Sequence, residues 1–364
     1  MRVVLLGAGH IGQTIAGLLS RSGDFAVTVV DRSEAALSML AALPVDTAVI
    51  DTEDAQALRR TLAGHDAVIN ALPYHLATLA AAQAAAVGCH YFDLTEDVAA
   101  TREIRRIADR ASTAFMPQCG LAPGFIGIVA NHLAKRFDGL DEIKMRVGAL
   151  PAFPTNALKY NLTWSVDGLI NEYVHPCDGI RDGRRIEMLA LEGLEHFSLD
   201  GVEYEAFNTS GGLGTLCDTL AGRVRTLDYK SVRYPGHRDL MSMLLEELQL
   251  KSDLETLKAM LRRSVPTTMQ DLVLVFVTVS GMRGGRLVQE VFARKIFADR
   301  TEGAPLSAIQ ITTAAGVCAA IDLFREGKLP RHGFIRQEQV ELPDFLANRF
   351  GSAYQQSRQV ESIG

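Results

Sequence analysis

The sequence predicts an α/β chain: a doubly wound parallel sheet in the first third, then a mixed-sheet α+β unit. Three observations predict it. Val3-Val4-Leu5-Leu6, a short apolar run of the buried parallel-strand type, passes directly into Gly7-x-Gly9-x-x-Gly12 and then an Ala-rich helical pattern. Up to Pro117, short apolar runs alternate with helical patterns, as βα repeats do. From about Asp138 that alternation stops and longer alternating stretches take over.

The opening glycines have the spacing of the Rossmann dinucleotide fingerprint. Gly7 permits the tight strand-to-helix turn, Gly9 lets the backbone approach a pyrophosphate, and Gly12 lets the helix pack close to the strand. The pyrophosphate would sit on the free N–H groups and positive end of the helix, with Gly7, Gly9, His10, Ile11 and Gly12 in contact. A second apolar run, Ala26 to Val30, ends on Asp31, nineteen residues beyond Gly12. An acid there accepts hydrogen bonds from both ribose hydroxyls and repels a 2′-phosphate, which selects NAD over NADP. The adjacent Arg32 could pair with a phosphate or stack on adenine.

Ser33 to Leu43 reads as a helix capped by Ser33, and Val45 to Ile50 as the third strand. Asp51 and Thr52 at its end could bond an adenine amino group or cap the next helix, Glu53 to Leu62. The fourth strand, Ala67 to Leu72, closes on Pro73, and its carboxyl end belongs beside the first strand, where a nicotinamide passes. Asn70, Ala71, Leu72 and Pro73 are therefore expected cofactor contacts. An Ala-rich helix (Leu76 to Val87), a fifth strand (Cys89 to Leu94), the turn Thr95-Glu96-Asp97 and a sixth strand (Ala114 to Pro117) follow. The Gly/Pro-rich turn Gln118 to Phe125 places Gly120 and Leu121 at the sheet's carboxyl edge, as further cofactor contacts. It also marks the exit from the first domain. The expected division is 1–122 for the nucleotide domain and 123–304 for a substrate-binding and oligomerisation domain, with the tail 305–350 packing back on the first.

In the second domain Glu142 to Leu150, Lys159 to Trp164, Arg185 to Ala190, Val202 to Thr209, Arg225 to Tyr234, Asp271 to Ser280 and Arg286 to Phe297 carry strand patterns. Helical stretches lie between them: Val166 to Tyr173, Leu213 to Leu220, His237 to Leu248 and Leu254 to Arg263. Strands joined in this way suggest a mixed sheet with one face under helices, holding the substrate and a subunit interface. Leu306 to Phe324 reads as an apolar helix in need of a partner surface, and Gly333 to Ile335 as a short extended piece.

Composition narrows the function. A chain of 364 residues suits two domains. The balance of 37 Lys and Arg against 43 Asp and Glu, net charge −6, gives no footprint for nucleic acid, and no basic block suggests a membrane surface. No apolar run reaches the ~18 residues of a membrane span, and Val3 to Leu6 is too short for a signal peptide. A soluble, cytoplasmic homo-oligomer acting on a small molecule is expected. The five cysteines show no C-x-x-C spacing and the nine histidines no ligand spacing, so reduced thiols and no metal are expected.

Several stretches are more specific: Tyr91-Phe92-Asp93-Leu94-Thr95, Gly120-Leu121-Ala122-Pro123-Gly124, Asn161-Leu162-Thr163-Trp164-Ser165, Arg233-Tyr234-Pro235-Gly236-His237 and Gly333-Phe334-Ile335-Arg336-Gln337-Glu338. With the glycine fingerprint they make the chain resemble the saccharopine dehydrogenase-like family over nearly its whole length. Saccharopine reductases of that family tend to carry an acid just before the Pro-Gly, where this chain has Ala122, and in lacking it the chain is similar to the lysine-type relatives. The resemblance implies NAD⁺ taking a hydride from the ε-carbon of an amino acid such as lysine, leaving an imine that water opens to a semialdehyde. It also implies a substrate contact for Thr95.

Such chemistry asks for an arginine on the α-carboxylate, a carboxylate for the ammonium, and a neutral reacting amine. Arg233 suits the first, though it could be a surface arginine. Asp93 and Glu96 could hold an ammonium or accept a proton, or could cap the next helix. His237 could relay a proton near neutral pH or bond its own backbone. Lys159 could serve as a base if burial lowered its pKa, or be an ordinary solvated lysine. Trp164, the only tryptophan, could shape a slot for an aliphatic stem or fill the core. Two other readings remain: a reductase of the saccharopine or carboxynorspermidine type acting on a secondary amine, with Arg223 and Arg225 as a second cationic clamp, and a non-catalytic NAD-binding sensor.

Overall fold

Alternate residues of the first apolar strands enter one core. Val4 and Leu6, with Val30, Val68, Tyr91 and Phe115, pack against a helical layer of Leu58, Leu62, Ala80, Ala84 and Ile104. The computed structural model describes residues 1–301 and 304–355. They form two units, Met1–Ile128 with Gln310–Ala353, and Val129–Ile309 with residues 354–355.

In the first unit, strands β1 (Arg2–Leu6), β2 (Ala26–Asp31), β3 (Asp46–Val49), β4 (Ala67–Asn70), β5 (His90–Asp93) and β6 (Ala114–Met116) make a parallel sheet in the order 6-5-4-1-2-3. Gly333–Phe334 adds a seventh parallel strand beside β6. This is the doubly wound order, and its reversal lies between β1 and β4, the topological switch point where ligands bind. The connecting helices are α1 (His10–Arg21), α2 (Glu34–Ser38), α3 (Ala55–Leu62), α4 (Ala77–Val87) and α5 (Val98–Ala108). Ser33 caps α2, its Oγ accepting from Ala36 N at 3.2 Å, but the α-helix ends at Ser38 rather than Leu43. The cap of α3 is Asp54, whose Oδ1 accepts from Gln56 N and Ala57 N; Asp51 instead closes a local turn on Glu53 N. Asp97, and neither Asp93 nor Glu96, caps α5 by accepting from Ala100 N at 2.7 Å.

In the second unit β7 (Gly139–Pro151), β8 (Cys177–Arg181), β9 (Arg184–Met188), β10 (Glu195–Leu199), β11 (Val202–Asn208), β12 (Val224–Arg233), β13 (Asp271–Arg283) and β14 (Arg286–Phe297) form one mixed sheet. Only the β7–β12 pair is parallel. Of the helices α6 (Phe125–Ala134), α7 (Val166–Val174), α8 (Leu216–Leu220), α9 (His237–Ser242) and α10 (Leu254–Ser264), α7, α9 and α10 contribute Leu169, Tyr173, Met241 and Leu261 to one core with Phe207 of β11. Strands β8 and β10 go beyond the sequence reading. Lys159 to Trp164 is not a strand: Asn156 closes a turn on Tyr160, its Nδ2 donating to the Tyr160 carbonyl at 2.6 Å, and Lys159 sits at φ 50°.

Helix α11 (Ala308–Arg325) corrects another expectation. Its 18 residues, with mean hydropathy 1.2, have the length and composition of a membrane span, yet 78% of that window is buried in the protein. Within the first unit Phe324 of α11 meets Phe92 edge-on, ring centroids 5.4 Å apart. Near its end Asp322 binds Arg349 through two bonds of 2.9 and 3.0 Å, Asn348 at 2.9 Å and Arg325 at 2.9 Å.

Candidate active site

At the end of β1 the chain turns on Gly7, whose φ of 102° an L side chain rarely adopts. A Cβ on Gly12 would lie 2.0 Å from the Gly7 carbonyl oxygen, so only glycine lets α1 start this close to the strand. A Cβ on Gly9 would meet nothing within 4 Å, so the backbone there faces open space. The first turn of α1, which begins with His10, Ile11 and Gly12, carries no acid and no side-chain cap. Its N–H groups and dipole are thus free for a pyrophosphate, and the residues fit a dinucleotide.

Asp31 closes β2 beside this turn. Its Oδ2 accepts from Ala8 N at 2.7 Å and its Oδ1 from Ser33 N at 2.8 Å, so one carboxylate anchors the glycine turn. Arg32 is exposed, 3.9 Å from Glu53. Asp51 is exposed and Thr52 buried. An Asp31→Ser variant should bind NAD⁺ about tenfold to a hundredfold more weakly, losing two charge-assisted bonds, and should gain relative affinity for NADP⁺. Paired titrations of the two cofactors check this; an unchanged preference would contradict the assignment.

The carboxyl end of β4 leads through Asn70, Ala71, Leu72 and Pro73 into a buried polar chain. Asn70 Oδ1 accepts from Leu72 N, its Nδ2 donates to the Tyr91 hydroxyl at 3.2 Å, and that hydroxyl donates to Asp93 Oδ2 at 2.8 Å. Asp93 Oδ1 accepts from Thr95 N and Gln118 N. Asp93 is fully buried and engaged by three donors; burial pushes its carboxyl up to about 6 against the pull of those bonds. Its place is to hold the Thr95 and Gln118 turns that set Gly120 and Leu121. Glu96, three residues past the end of β5, keeps some exposed surface, yet its carboxyl is desolvated; that burial first, then the charges of Asp97 and Asp93, push it up to about 7 against the pull of its own backbone N–H. Cys119 is buried against the Met116 carbonyl, with burial raising its thiol pKa.

The second unit gathers another polar cluster. Arg233 ends β12 and is 3% exposed; its Nε donates to the Tyr173 hydroxyl at 3.0 Å and its Nη1 to the Val232 carbonyl at 2.8 Å. Its guanidinium lies over the Tyr160 ring, 5.1 Å from the centroid. Among the described residues no carboxylate is within 4.0 Å of it as an ion-pair partner; Glu205, opposite in the β11–β12 register, instead accepts from Gly236 N and Arg238 N. His237 is buried, its Nδ1 at 2.9 Å from the Leu158 carbonyl and its Nε2 at 3.1 Å from the Tyr173 hydroxyl. Burial and the Arg233 charge push its pKa down to about 3, so it is neutral and does not titrate near neutrality, which corrects the relay expected of it. Lys159 is exposed, its Nζ donating to the Pro235 carbonyl at 2.8 Å; the burial required of a catalytic base is absent, and the side chain straps its loop. Trp164 packs on Gly168, and its Nε1 donates to the Tyr160 hydroxyl at 3.1 Å. Arg225 is exposed and bonded to Asp141 at 2.6 Å, at the other end of β12 from Arg233, about 26 Å along the strand. It and the neighbouring exposed Arg223 therefore do not form a clamp with Arg233.

Asp93, Glu96 and the glycine turn thus belong to the first unit, and Arg233, His237, Lys159 and Trp164 to the second. Tyr173 and Glu205 were not foreseen. Among the described residues no group of three or more His, Cys, Asp or Glu is arranged to hold a metal ion, and all five cysteines are free and buried.

The turn, the strand order and Asp31 make the first unit an NAD(P)-binding Rossmann domain. Residues 3–116 match the saccharopine dehydrogenase NADP binding domain and residues 120–350 the saccharopine dehydrogenase C-terminal domain. The chain belongs to the saccharopine dehydrogenase family. It is 24% identical over 194 residues to saccharopine dehydrogenase [NADP(+), L-glutamate-forming] of Schizosaccharomyces pombe, covering 51% of this chain and 43% of that protein. Over 318 residues it is 20% identical to the mitochondrial alpha-aminoadipic semialdehyde synthase of Rattus norvegicus, covering 83% and 34%. The chain therefore spans less than half the length of these relatives. Apo saccharopine dehydrogenase (L-Glu forming) of Saccharomyces cerevisiae shares the fold, with TM-score 0.77 and 18% identity over 94% of this chain and 96% of that one.

Proposed function

We propose that this chain is an NAD-dependent oxidoreductase acting on the CH–NH₂ group of an amino acid, with L-lysine oxidised at its ε-carbon to 2-aminoadipate 6-semialdehyde, which cyclises. That is the activity of an L-lysine 6-dehydrogenase. The observation that carries the reading is the buried guanidinium of Arg233, which has no carboxylate in ion-pair range. The buried Glu172 carboxylate acts on it only from beyond ion-pair range, so the guanidinium recovers little of the several kcal/mol that its burial costs, on the order of what a bound anion would restore. The planar fork fits an amino acid's α-carboxylate. Asp31 supports NAD over NADP, and Ala122 offers no acid for a secondary amine.

When bound, the nicotinamide supplies the hydride acceptor. The protein must take a proton from the reacting ammonium first, and Glu96, poised about 7, suits that task. Below that value its carboxyl holds its own proton; above it the carboxylate is free to accept one, so kcat/KM should rise with pH through about 7. Glu96→Gln should lower kcat by about 10²- to 10⁴-fold and remove that limb of the profile. A pH profile identical to that of the unaltered protein would rule Glu96 out.

The second reading, a reductase acting on a secondary amine, draws support from the names of the relatives. Such a substrate bears an extra carboxylate, and Arg223 and Arg225, far along β12, do not supply its cation. Initial rates with L-lysine or saccharopine, each with NAD⁺ and NADP⁺, separate the readings. Reduced NAD appearing with lysine supports the proposal, activity confined to saccharopine or its aldehyde and amino-acid precursors with NADP(H) supports the second, and cofactor binding without turnover on any diamino acid supports a sensor.

A further inference from the structure

We propose that Tyr173 and His237 are positioning residues that hold Arg233 in place for a substrate carboxylate, through a one-way hydrogen-bond chain that ends on the Leu158 carbonyl. The inference rests on the reading of Arg233 given above and adds to it the residues through which that arginine is set.

The direction of the chain follows from what each atom can do. A carbonyl oxygen only accepts, so the His237 Nδ1 at 2.9 Å from Leu158 carries the hydrogen. A neutral imidazole has one N–H, so Nε2 is the acceptor, and the Tyr173 hydroxyl 3.1 Å away donates to it. The hydroxyl oxygen then receives the Arg233 Nε–H at 3.0 Å, while Nη1 donates to the Val232 carbonyl at 2.8 Å. Two of the three guanidinium nitrogens are thereby fixed. Nη2 and the second Nη1 hydrogen have no partner among the described residues, and they form the end-on edge that grips a carboxylate with two parallel bonds. A neutral histidine suits the place, because an imidazolium would set a second cation beside the first.

Each link is itself anchored. His237 opens α9, whose start Glu205 ties down through Gly236 N at 2.8 Å and Arg238 N at 2.7 Å. Tyr173 closes the buried stripe of α7 and packs edge-on against Phe207, ring centroids 5.7 Å apart. Tyr173→Phe keeps that packing and removes only the oxygen that joins the arginine to the histidine.

The test is a double-mutant cycle on the full chain with Tyr173→Phe, Arg233→Lys and the pair, measuring kcat and KM with NAD⁺ and L-lysine, or saccharopine if lysine is not turned over. The NAD⁺ dissociation constant is measured alongside. Tyr173→Phe should raise KM for the amino acid about tenfold, the scale of one bond to a charged group, leaving kcat within about twofold and NAD⁺ affinity unchanged. In the Arg233→Lys background, which lacks the Nε–H, the same change should leave KM alone. An equal KM effect in both backgrounds, or a loss confined to kcat, overturns the chain. If Arg233→Lys leaves KM unaltered, the reading of Arg233 fails instead; if it raises KM and Tyr173→Phe does not, only the positioning inference fails. Nitrogen-15 spectra of His237 decide the geometry without any substrate: a neutral Nδ1–H tautomer from about pH 5 to 8 is expected, and an Nε2–H tautomer or an imidazolium overturns it.

Discussion

Arg233→Met is expected to lower kcat/KM for the amino acid about a thousandfold while NAD⁺ binds as before. Losing one partner of a buried, hydrogen-bonded charge pair costs about 2–5 kcal/mol, and each 1.4 kcal/mol is tenfold. Methionine keeps most of the apolar stem and removes only the charged fork that lies over the Tyr160 and Tyr173 rings. The sign of the stability change separates a binding role from a structural one. A buried guanidinium whose carboxylate neighbour, Glu172, lies beyond ion-pair range regains little of its desolvation cost, so its removal should leave Tm equal or higher. A thermal melt and a kinetic titration together test this. Lost activity with a lower Tm would mean that Arg233 braces the fold.

The second large effect lies at the other end of the chain. Asp322→Ala should destabilise the first unit by about 3 kcal/mol, the lower end of the range for breaking a buried ion pair, since its arginine partners are partly exposed. Asp322 is 1% exposed and binds Arg349, Arg325 and Asn348, while Arg349 also pairs with Asp24 at 2.6 Å. Arg349, held by both Asp322 and Asp24, therefore ties the segment after α11 to that helix and to the loop between α1 and β2. Burial alone would raise its pKa, and the bonds from Arg349, Asn348 and Arg325 overcome that and hold it below the usual range. A depressed carboxylate contributes stability that is present above its unfolded pKa and lost as pH falls through the folded value. The variant should thus melt well below the parent at neutral pH, with the gap closing in acid. A gap that does not depend on pH would assign the loss to packing.

What the sequence made legible was local. The strand, the three glycines and Asp31 could be read in one line because their contacts span few residues: Ala8 N reaches Asp31 from 23 positions away, across a single βα unit. Helix caps were harder, since Asp51 and Asp54 look alike and only the path of the chain shows which faces the free N–H groups of α3. Lys159 to Trp164 alternates like a strand, but the Asn156 side chain competes for the Tyr160 backbone and turns it. Tyr173 sits in the apolar stripe of a helix, where a tyrosine reads as core; its hydroxyl partners lie 60 and 64 residues away, and no local pattern announces them. Arg223 and Arg225 drew attention as nearby cations, yet a strand separates residues by about 3.3 Å each and carries them away from Arg233. His237 was found by its position and misjudged in its state, because neutrality is set by burial and by a neighbouring charge.

In the proposed activity the fork of Arg233 receives the carboxylate of an amino-acid substrate. A crystal structure of the protein with NAD⁺ and L-lysine tests it most directly. Two N–H···O bonds of about 2.8 Å from Nη1 and Nη2 to one carboxylate are expected, with the Nε bond to Tyr173 retained. Lysine bound with its carboxylate elsewhere, and Arg233 still without an anion, would contradict it.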